Sequence, residues 1–522
     1  MKAYEILAML SAQGVTVRDL TADSRGLRAG DLFVAYPGHS TGSSPRTDGR
    51  SFIGDAIARG AAAVLWERAE FDWNDAWHLP NVAVAGLKPL VGAISSEVYG
   101  KPSERLFMAG VTGTNGKTSV AQWIAEALEI CGKPCGSIGT LGAAFGARGA
   151  AFGARGAAFS DVKLDAVNTT PDAIVLQRTL RDMRAAGAAA CAMEVSSIGL
   201  DQERTAGVAF DCAVFTNFSR DHLDYHGDMA AYEAAKTKLF TQTGISHAVI
   251  NLDDPMGVRL MTKVIEPVQR FTYCIEGKSA VTQYIEDEGR LVACDIRYVE
   301  RGVHFTVKRL VEGVEIAHAV VSVPVWGEFN VSNLLAVMSV LLAAGVPFVE
   351  AAQAIEKVQP VPGRMNALGG VNQPLVVIDY AHTPAALAKA LETLKPIAQS
   401  RGGALRVVFG CGGDRDAGKR PQMGAVAETI ADTVMLTSDN PRGEQPEAIL
   451  AAIEAGMRKP RLVVADRGTA ILRAVTGAAV NDVVLIAGKG HETTQEIGGI
   501  KLPFSDHDVA RGALENRLRT SA

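Results

Sequence analysis

Gly110-Val-Thr-Gly-Thr-Asn-Gly-Lys-Thr-Ser119 is the stretch on which the reading of this chain turns. An apolar run at 106–111 leads into it, and a helical run from 117 to about 131 follows. Strand, glycine-rich turn and helix in that order make a phosphate-binding loop. The glycines let successive backbone N–H groups point inward, and the helix N-terminus favours negative charge. Lys117 is then placed to reach the terminal phosphates of a nucleotide, and Thr118 to hold magnesium. The spacing departs from the strict G-x-x-x-x-G-K-[ST] pattern: Val111 stands where the leading glycine belongs, and Gly110 comes one residue earlier.

Outward from the loop the same alternation repeats. Apolar runs at 188–195, 211–216 and 248–252 read as buried strands, and 270–325 reads as several antiparallel strands. Upstream, runs at 31–36 and 61–66 alternate with helical stretches, and 101–104 looks like a linker. Downstream of a second linker-like stretch at 360–363, strands are expected at 375–379, 405–410, 433–437 and 483–487, with helices between them. Such alternation implies parallel sheets. The expectation is an α/β chain of three domains. A small N-terminal α/β unit spans 1–103, a central P-loop unit with a mostly parallel sheet spans 104–360, and a Rossmann-like unit spans 361–522. A heptad at 142–148 recurs at 149–155 and trails into 156–159. Two copies are too few for a solenoid, so it reads as a duplicated surface loop.

Composition narrows the function. At 522 residues the chain is too long for one ordinary core. A net charge of −5 implies no general affinity for nucleic acid. The seven cysteines are scattered, as in a protein with reduced thiols, and Cys131 and Cys135 fit one helix face better than a zinc knuckle. The apolar stretch within 1–14 is broken by Glu5 and is unlike a signal peptide. No run of about 18 apolar residues marks a membrane span. These features together read as a cytoplasmic protein.

Several segments carry chemistry. Glu194, in Met193-Glu-Val-Ser-Ser197, ends an expected strand, where a carboxylate faces the ligand crevice and suits a hard cation. Thr216-Asn-Phe-Ser-Arg-Asp-His-Leu-Asp-Tyr-His226 follows the next strand; its histidines, four apart, leave zinc open as an alternative. Lys236, on an expected helix, reads by itself as a solvated lysine, and Asn330 in Gly327-Glu-Phe-Asn-Val-Ser-Asn333 reads as a helix cap. In the third unit Asp379-Tyr-Ala-His382, Gly410-Cys-Gly-Gly-Asp-Arg415, Ser438-Asp-Asn-Pro-Arg442 and Gly488-Lys-Gly-His-Glu492 each follow an expected strand. A parallel sheet puts all four on one edge, with Arg415, Lys419, Arg442 and Glu492. Two arginines with a carboxylate suit a ligand bearing both carboxylates and ammonium groups.

In form and order these segments resemble those of the Mur ligase family, which also includes folylpolyglutamate synthetases. The resemblance spans nearly the whole chain. It implies an ATP-dependent amide ligase of cytoplasmic peptidoglycan precursor synthesis, working through an acyl phosphate, with Lys117, Lys236 and His222 catalytic. It further implies ATP contacts from Gly113, Thr114, Asn115, Gly116, Lys117, Thr118, Ser119, Asn330, Asn333, Arg364 and Asp379. Magnesium would be held by Thr118, Glu194, His222 and Lys236, the last as a carbamate. Asp23-Ser-Arg25, Gly38-His39 and Asn168-Thr-Thr-Pro171 resemble segments that hold UDP-N-acetylmuramoyl-L-alanyl-D-glutamate. That carries Ser24, His39, Asn168, Thr169, Thr170, Ser196, Gln202 and Arg204 over to this substrate, with Ser40 and Thr41 less closely matched. Ile198 departs from the Glu-Val-Ser-Ser-His form, so any contact made by that histidine is missing. Asp439-Asn-Pro-Arg442 resembles the motif of diaminopimelate-adding members, which implies that Arg415, Asp439, Asn440, Pro441, Arg442, Gly488 and Glu492 contact meso-diaminopimelate. The base that takes the amine proton is not named by the sequence; His382 is a candidate. A monomer is expected, with no nucleic-acid partner and no membrane insertion. The alternatives are a lysine-adding ligase, a folylpolyglutamate synthetase, and an ATP-binding scaffold without ligase activity.

Overall fold

Three large sheets and a two-stranded hairpin, Thr494–Ile497 with Ile500–Pro503, organise the described residues. The computed structural model describes residues 1–38, 47–145, 168–279, 287–299, 302–370, 372–458 and 462–521. The first sheet has four parallel strands in chain order: Leu20–Thr21, Leu32–Ala35, Ala63–Glu67 and Asn81–Val84. Its strand residues alternate between two cores, Leu32 and Val34 in one, Phe33 and Ala35 in the other. Burial on both faces is the mark of a parallel strand, and it explains why this segment is uniformly apolar.

The central sheet has ten strands. Its middle runs Gln269–Ile275, His247–Asn251, Cys212–Phe215, Phe107–Thr112, Ala190–Glu194 and Cys135–Gly139, all parallel. Helices Lys117–Ile130 and Glu328–Ala343 cover one face through Trp123, Ile124, Leu334 and Val337. Helices Ala173–Ala185 and Pro255–Met261 cover the other through Leu176, Leu180 and Leu260. The 270–325 region is only partly antiparallel. Gln269–Ile275 pairs in parallel with Gly289–Val299, and only then do Gly302–Val311 and Val314–Val323 continue antiparallel. Phe271 and Tyr273 bury into one core and Cys274 into the other, so this strand is covered on both faces like its parallel neighbours.

Two further expectations are corrected. Cys131 caps its helix and Cys135 opens a strand, because Gly132 at φ 75 and then Pro134 end the helix. The expected linker at 101–104 is a packed turn, Pro102–Arg105, whose Ser103 Oγ accepts from Ala209 N at 3.1 Å. Of the heptad repeat, Gly142–Phe145 is an edge strand paired with Cys135–Gly139; 146–159 lies outside the described residues.

The third sheet runs Asn366–Gly369, Leu375–Asp379, Val483–Ala487, Leu405–Phe409, Thr433–Leu436 and Leu462–Val463. Only its first pair is antiparallel. The four polar segments therefore all leave the carboxyl edge of one sheet. Among the described residues no helix is long and apolar enough to cross a membrane.

Side chains pin the three units together. Arg178, on helix Ala173–Ala185, reaches Asp19 Oδ1 and Leu20 O, each at 2.7 Å. At the other joint Arg364 Nη2 donates to Thr118 Oγ1 at 2.9 Å, and Arg220 faces Asp416 at 3.5 Å.

Candidate active site

The phosphate loop is shaped by residues that leave no room for side chains. A Cβ on Gly113 would fall 1.9 Å from Thr216 Oγ1, and one on Gly116, at φ +87, would fall 2.5 Å from Asn333 Oδ1. The loop is also stitched to the segment after Cys212–Phe215. Asn115 N donates to Asn217 Oδ1 at 2.9 Å, and Asn217 Nδ2 returns to Asn115 O at 3.0 Å. Thr114 Oγ1 accepts from Ser219 N at 2.9 Å.

Two lysines converge on one carbonyl. Lys117 Nζ donates to Gly113 O at 2.9 Å and Lys236 Nζ to the same oxygen at 2.8 Å. Lys236 is not a solvated lysine: it is 1% exposed, with its ammonium 4.4 Å from the Tyr232 ring centroid. Helix Met229–Thr237 turns Tyr232, Ala235 and Lys236 inward, which a three-to-four-residue spacing allows. Burial, and then the neighbouring Lys117 charge, push Lys236 well below the ordinary lysine range. Burial lowers Lys117 as well, against the pull of Glu194 and Asp221.

Glu194, 2% exposed, sits beside the loop. Its Oε2 accepts from Thr118 Oγ1 at 2.9 Å and from Thr140 Oγ1 at 3.2 Å, and its Oε1 from Thr140 N at 2.8 Å. His222 adopts φ 54 and faces Asp221 at 3.5 Å. His226 turns instead to Ser197 Oγ at 3.0 Å, so the two histidines do not converge and the zinc alternative loses its ligand pair. Burial opposes ionisation of Asp221, yet His222, His382 and Lys419 pull its pKa down to about 2. His382 Nδ1 donates to Tyr380 O at 2.8 Å, and burial with nearby Lys419 lowers its pKa to about 4, leaving the ring neutral at pH 7.

A cavity of about 460 Å³ opens between the second and third units, a size suited to a small-molecule ligand. Asn115, Gly116, Ser119, Asn330, Asn333, Arg364 and Asp379 all line it. Asn330 lies inside helix Glu328–Ala343 rather than capping it; it donates to Trp326 O at 2.8 Å and accepts from Asn333 at 3.1 Å. Arg364 stacks 4.5 Å from the Tyr380 ring, and Asp379 Oδ2 accepts from Met365 N at 2.8 Å. Sequence reasoning missed Asp253, Lys278 and Lys389 on the same wall. Asp253 had a signal, a pair of aspartates directly after a buried strand; burial pushes it up to about 6.

On the opposite side of Glu194, Thr170 Oγ1 donates to Glu194 O at 3.0 Å and accepts from Ser196 N at 3.0 Å. Arg204 donates to Thr170 O at 3.0 Å and to Gln202 Oε1 at 2.7 Å, and Thr169 Oγ1 accepts from Thr140 at 3.2 Å. Thr169, Thr170, Ser196, Gln202 and Arg204 thus form one cluster, with Asn168 exposed beside it. Ser24 is buried in the first unit, at the start of a short turn capped by Asp23. His39, Ser40 and Thr41 lie outside the described residues.

The third unit's edge is tightly cross-linked. Asn440 Nδ2 donates to Glu492 Oε2 at 2.8 Å, and Lys489, fully buried, donates to Asn440 Oδ1 at 3.0 Å and to Glu492 at 2.7 Å. Burial raises the cost of ionising Glu492, but Lys489 and Asn440 outweigh it and hold the carboxyl below its ordinary range. A Cβ on Gly488 would meet Asp439 Oδ2 at 2.3 Å, and one on Gly413 would meet Pro441 O at 1.9 Å, so these loops touch through their glycines. Arg442, at φ 52, donates to Gly413 O at 2.8 Å and faces Glu496 at 3.6 Å. Arg415 is exposed on its loop. Lys489 and Glu496 escaped sequence reasoning.

A phosphate loop with a buried carboxylate, facing an edge built for a zwitterionic ligand across a nucleotide-sized cleft, defines a nucleotide-dependent α/β enzyme that joins small molecules. Family models agree: the Mur ligase family catalytic domain matches 16–99, the Mur ligase middle domain 111–341, and the Mur ligase glutamate ligase domain 363–490. The UDP-N-acetylmuramoyl-L-alanyl-D-glutamate–2,6-diaminopimelate ligase of Janthinobacterium sp. (strain Marseille) is 47% identical over 97% of this chain and 95% of its own. That of Ralstonia nicotianae is 48% identical over 98% and 96%. A solved ligase structure of the same description is 33% identical, covers 96% of this chain and 95% of its own, and superposes with a TM-score of 0.63. MurF from Acinetobacter baumannii, at 16% identity and a TM-score of 0.64 over 99% of this chain and 98% of its own, shares the fold. The chain belongs to the Mur ligase family.

Proposed function

We propose that this chain joins meso-2,6-diaminopimelate to the D-glutamate γ-carboxylate of UDP-N-acetylmuramoyl-L-alanyl-D-glutamate at the expense of ATP, in cytoplasmic peptidoglycan precursor synthesis. The observation that carries the choice of amino acid is Arg442. Its guanidinium is held at the third unit's edge by Gly413 O at 2.8 Å, close to the linked Asn440–Glu492 pair. Such a fork reads a carboxylate, and lysine has none at its far end. All the substrate segments come from one chain, which supports action as a monomer.

In the reaction the γ-carboxylate attacks the γ-phosphorus, ADP leaves, and an acyl phosphate forms. The amine nitrogen then bonds to the acyl carbon, phosphate leaves, and the nitrogen loses a proton. Lys117 neutralises charge on the transferring group, the chief protein contribution to such chemistry. Asn330, Asn333 and Asp379 orient the nucleotide, and Arg204 with Gln202 orients the acceptor. Arg415, Asp439, Asn440, Arg442 and Glu492 hold the amino acid so that its amine meets the acyl carbon.

Thr118, Glu194, His222 and a carbamate on Lys236 would hold magnesium, whose bound charge stabilises the phosphoryl oxygens. The oxygen donors at Thr118 and Glu194, 2.9 Å apart, fit a hard cation. A second anionic donor beside them would add to the charge that holds the cation. Lys236 can become one. Burial and the Lys117 charge favour the neutral amine of Lys236, the form that adds to carbon dioxide and releases a proton.

The test is incubation with ATP, magnesium and the muramoyl dipeptide nucleotide, with diaminopimelate or L-lysine in parallel. Product mass and ADP are followed together. A tripeptide formed with diaminopimelate and not lysine is the expected result. A lysine product would overturn the specificity, and ADP without product would overturn the ligase reading.

A further inference from the structure

Arg467 opens helix Arg467–Thr476, its side chain wholly buried, beneath the edge that holds the amino acid. A buried guanidinium is costly, and a well-packed apolar residue in its place is often as stable or more so. Its contacts are therefore informative. Nε and Nη2 donate to Asp506 Oδ1 and Oδ2, both at 2.7 Å, and Asp506 opens the helix Asp506–Ser521. Nη1 donates to Ser438 O at 3.3 Å and Nη2 to Ala487 O at 3.0 Å. Those carbonyls immediately precede Asp439 and Gly488, where the two recognition segments begin.

The strands that deliver these segments are not neighbours. Thr433–Leu436 and Val483–Ala487 are separated by Leu405–Phe409, so no backbone ladder sets one loop against the other. At about 4.8 Å per strand their ends start roughly 10 Å apart. Above this gap the loops must meet closely enough for Asn440 to bond Glu492 at 2.8 Å and for Asp439 to occupy the hole left by Gly488. One planar side chain tied to both starting points closes that gap, and its rigid fork is the reason an arginine serves here.

We propose that Arg467, anchored by Asp506, is a positioning residue for amino-acid recognition: it clamps the base of the Asp439–Arg442 segment to the base of the Gly488–Glu492 segment. The inference rests on the functional reading above, in which these segments hold diaminopimelate. Arg467→Lys keeps the charge but offers one ammonium where a fork bridged three groups. The loops then shift against each other, and the carboxylate reader Arg442 moves with its segment.

The experiment varies each of the three substrates in turn in steady-state kinetics of the wild-type chain, Arg467→Lys and Asp506→Asn. Arg467→Lys is expected to raise the KM for diaminopimelate tenfold or more, with the KM values for ATP and for the muramoyl dipeptide nucleotide within twofold. The preference for diaminopimelate over lysine falls with it. Asp506→Asn, which leaves the two carbonyl bonds, gives a smaller rise in the same KM. A merely structural role would instead lower kcat in proportion to the folded fraction and leave every KM in place, and that result overturns the clamp. Should Arg467→Lys fail to fold, Arg467→Met with Asp506→Leu supplies an apolar pair; a wild-type KM for diaminopimelate in that variant overturns the clamp as well. A wild-type chain that consumes lysine instead refutes the functional reading alone, and the KM for lysine in the same variants still decides the positioning role.

Discussion

Replacing Glu194 by Gln separates what this carboxylate does for the fold from what it does for the reaction. Its Oε1 accepts from Thr140 N at 2.8 Å, and its Oε2 from the hydroxyls of Thr118 and Thr140 at 2.9 and 3.2 Å. Gln can keep its oxygen on Thr140 N, because that backbone donor has no choice of role, and turn its amide nitrogen to the two hydroxyls, which can rotate to accept. The bond to Thr140 N loses its charge assistance, a change of about 1 kcal/mol. Thr118 is then crowded, since it also accepts from Arg364 at 2.9 Å, which adds a further fraction. The fold should lose about 1–2 kcal/mol, or a few degrees of melting temperature in a domain of this size. Activity should fall far more. Removing the buried carboxylate bonded to Thr118 takes away a hard anionic donor for the metal, and the loss expected is about 10²-fold or more, equivalent to ~2.7 kcal/mol of barrier. Melting curves together with tripeptide formation across a magnesium titration measure both. A Glu194→Gln protein that melts within a few degrees of wild type and keeps a third of its activity at limiting magnesium would refute the assignment.

Three other outcomes follow from the same geometry. Lys236→Ala should abolish tripeptide formation, and high bicarbonate, by offering an exogenous anionic donor, should restore part of it; full activity without bicarbonate would count against the carbamate. Gly116→Ala places a Cβ 2.5 Å from Asn333 Oδ1 at a backbone φ of +87, a strain of about 1–2 kcal/mol before Asn333 moves, so the KM for ATP should rise about tenfold with that for diaminopimelate unchanged. Stability should fall on mild acidification. His382 and His491 titrate at about 4 when folded, below the ordinary 6.5, so the unfolded chain binds more protons between those values and stability present above 6.5 is lost towards 4. Asp253, at about 6 when folded, works the other way and offsets one of them. With His222, also at about 4 when folded, added to the histidines, the net slope is about 2.7 kcal/mol per pH unit between about 4 and 6. A melting temperature at pH 5 equal to or above that at pH 7 would contradict it.

What the sequence disclosed was the part of the site written in local grammar. A strand, a glycine turn and a helix are contiguous, so the phosphate loop and the ends of the third sheet's strands could be placed from spacing alone. Glu194 was visible for the same reason, as the last residue of an apolar run. What stayed hidden depends on which elements become neighbours after folding. Thr140 holds Glu194 from the end of the neighbouring strand, yet a threonine after a strand carries no pattern of its own. Lys236 looked like a surface lysine, because the helix that carries it is short and its acceptor, Gly113 O, comes from a loop far away in sequence. Cys131 and Cys135 misled because their spacing was read as helical across a glycine and a proline that break the helix.

The buried charges divide along the same line, and their division says how the site is built. Lys117 and Lys236 share the Gly113 carbonyl as acceptor, with Asp221 acting on both through its charge rather than through a bond. Lys489 has Glu492 and Asn440, and Arg467 has Asp506 and two carbonyls, so the amino-acid edge is satisfied within its own unit before any ligand arrives. The loop lysines are instead buried close together, and the Lys117 charge lowers the affinity of Lys236 for its proton. On the phosphate side Glu194 acts on Lys117, and Asp221 on both lysines, through space, whereas on the amino-acid side Lys489 and Arg467 are bonded directly to carboxylates. The first is suited to receive phosphates and a carbamate, and the second to hold its shape and offer Arg442 to a carboxylate. An enzyme organised in this way gains electrostatic stability at the loop only when its anionic substrate binds, which ties binding of the nucleotide to the assembly of the catalytic centre.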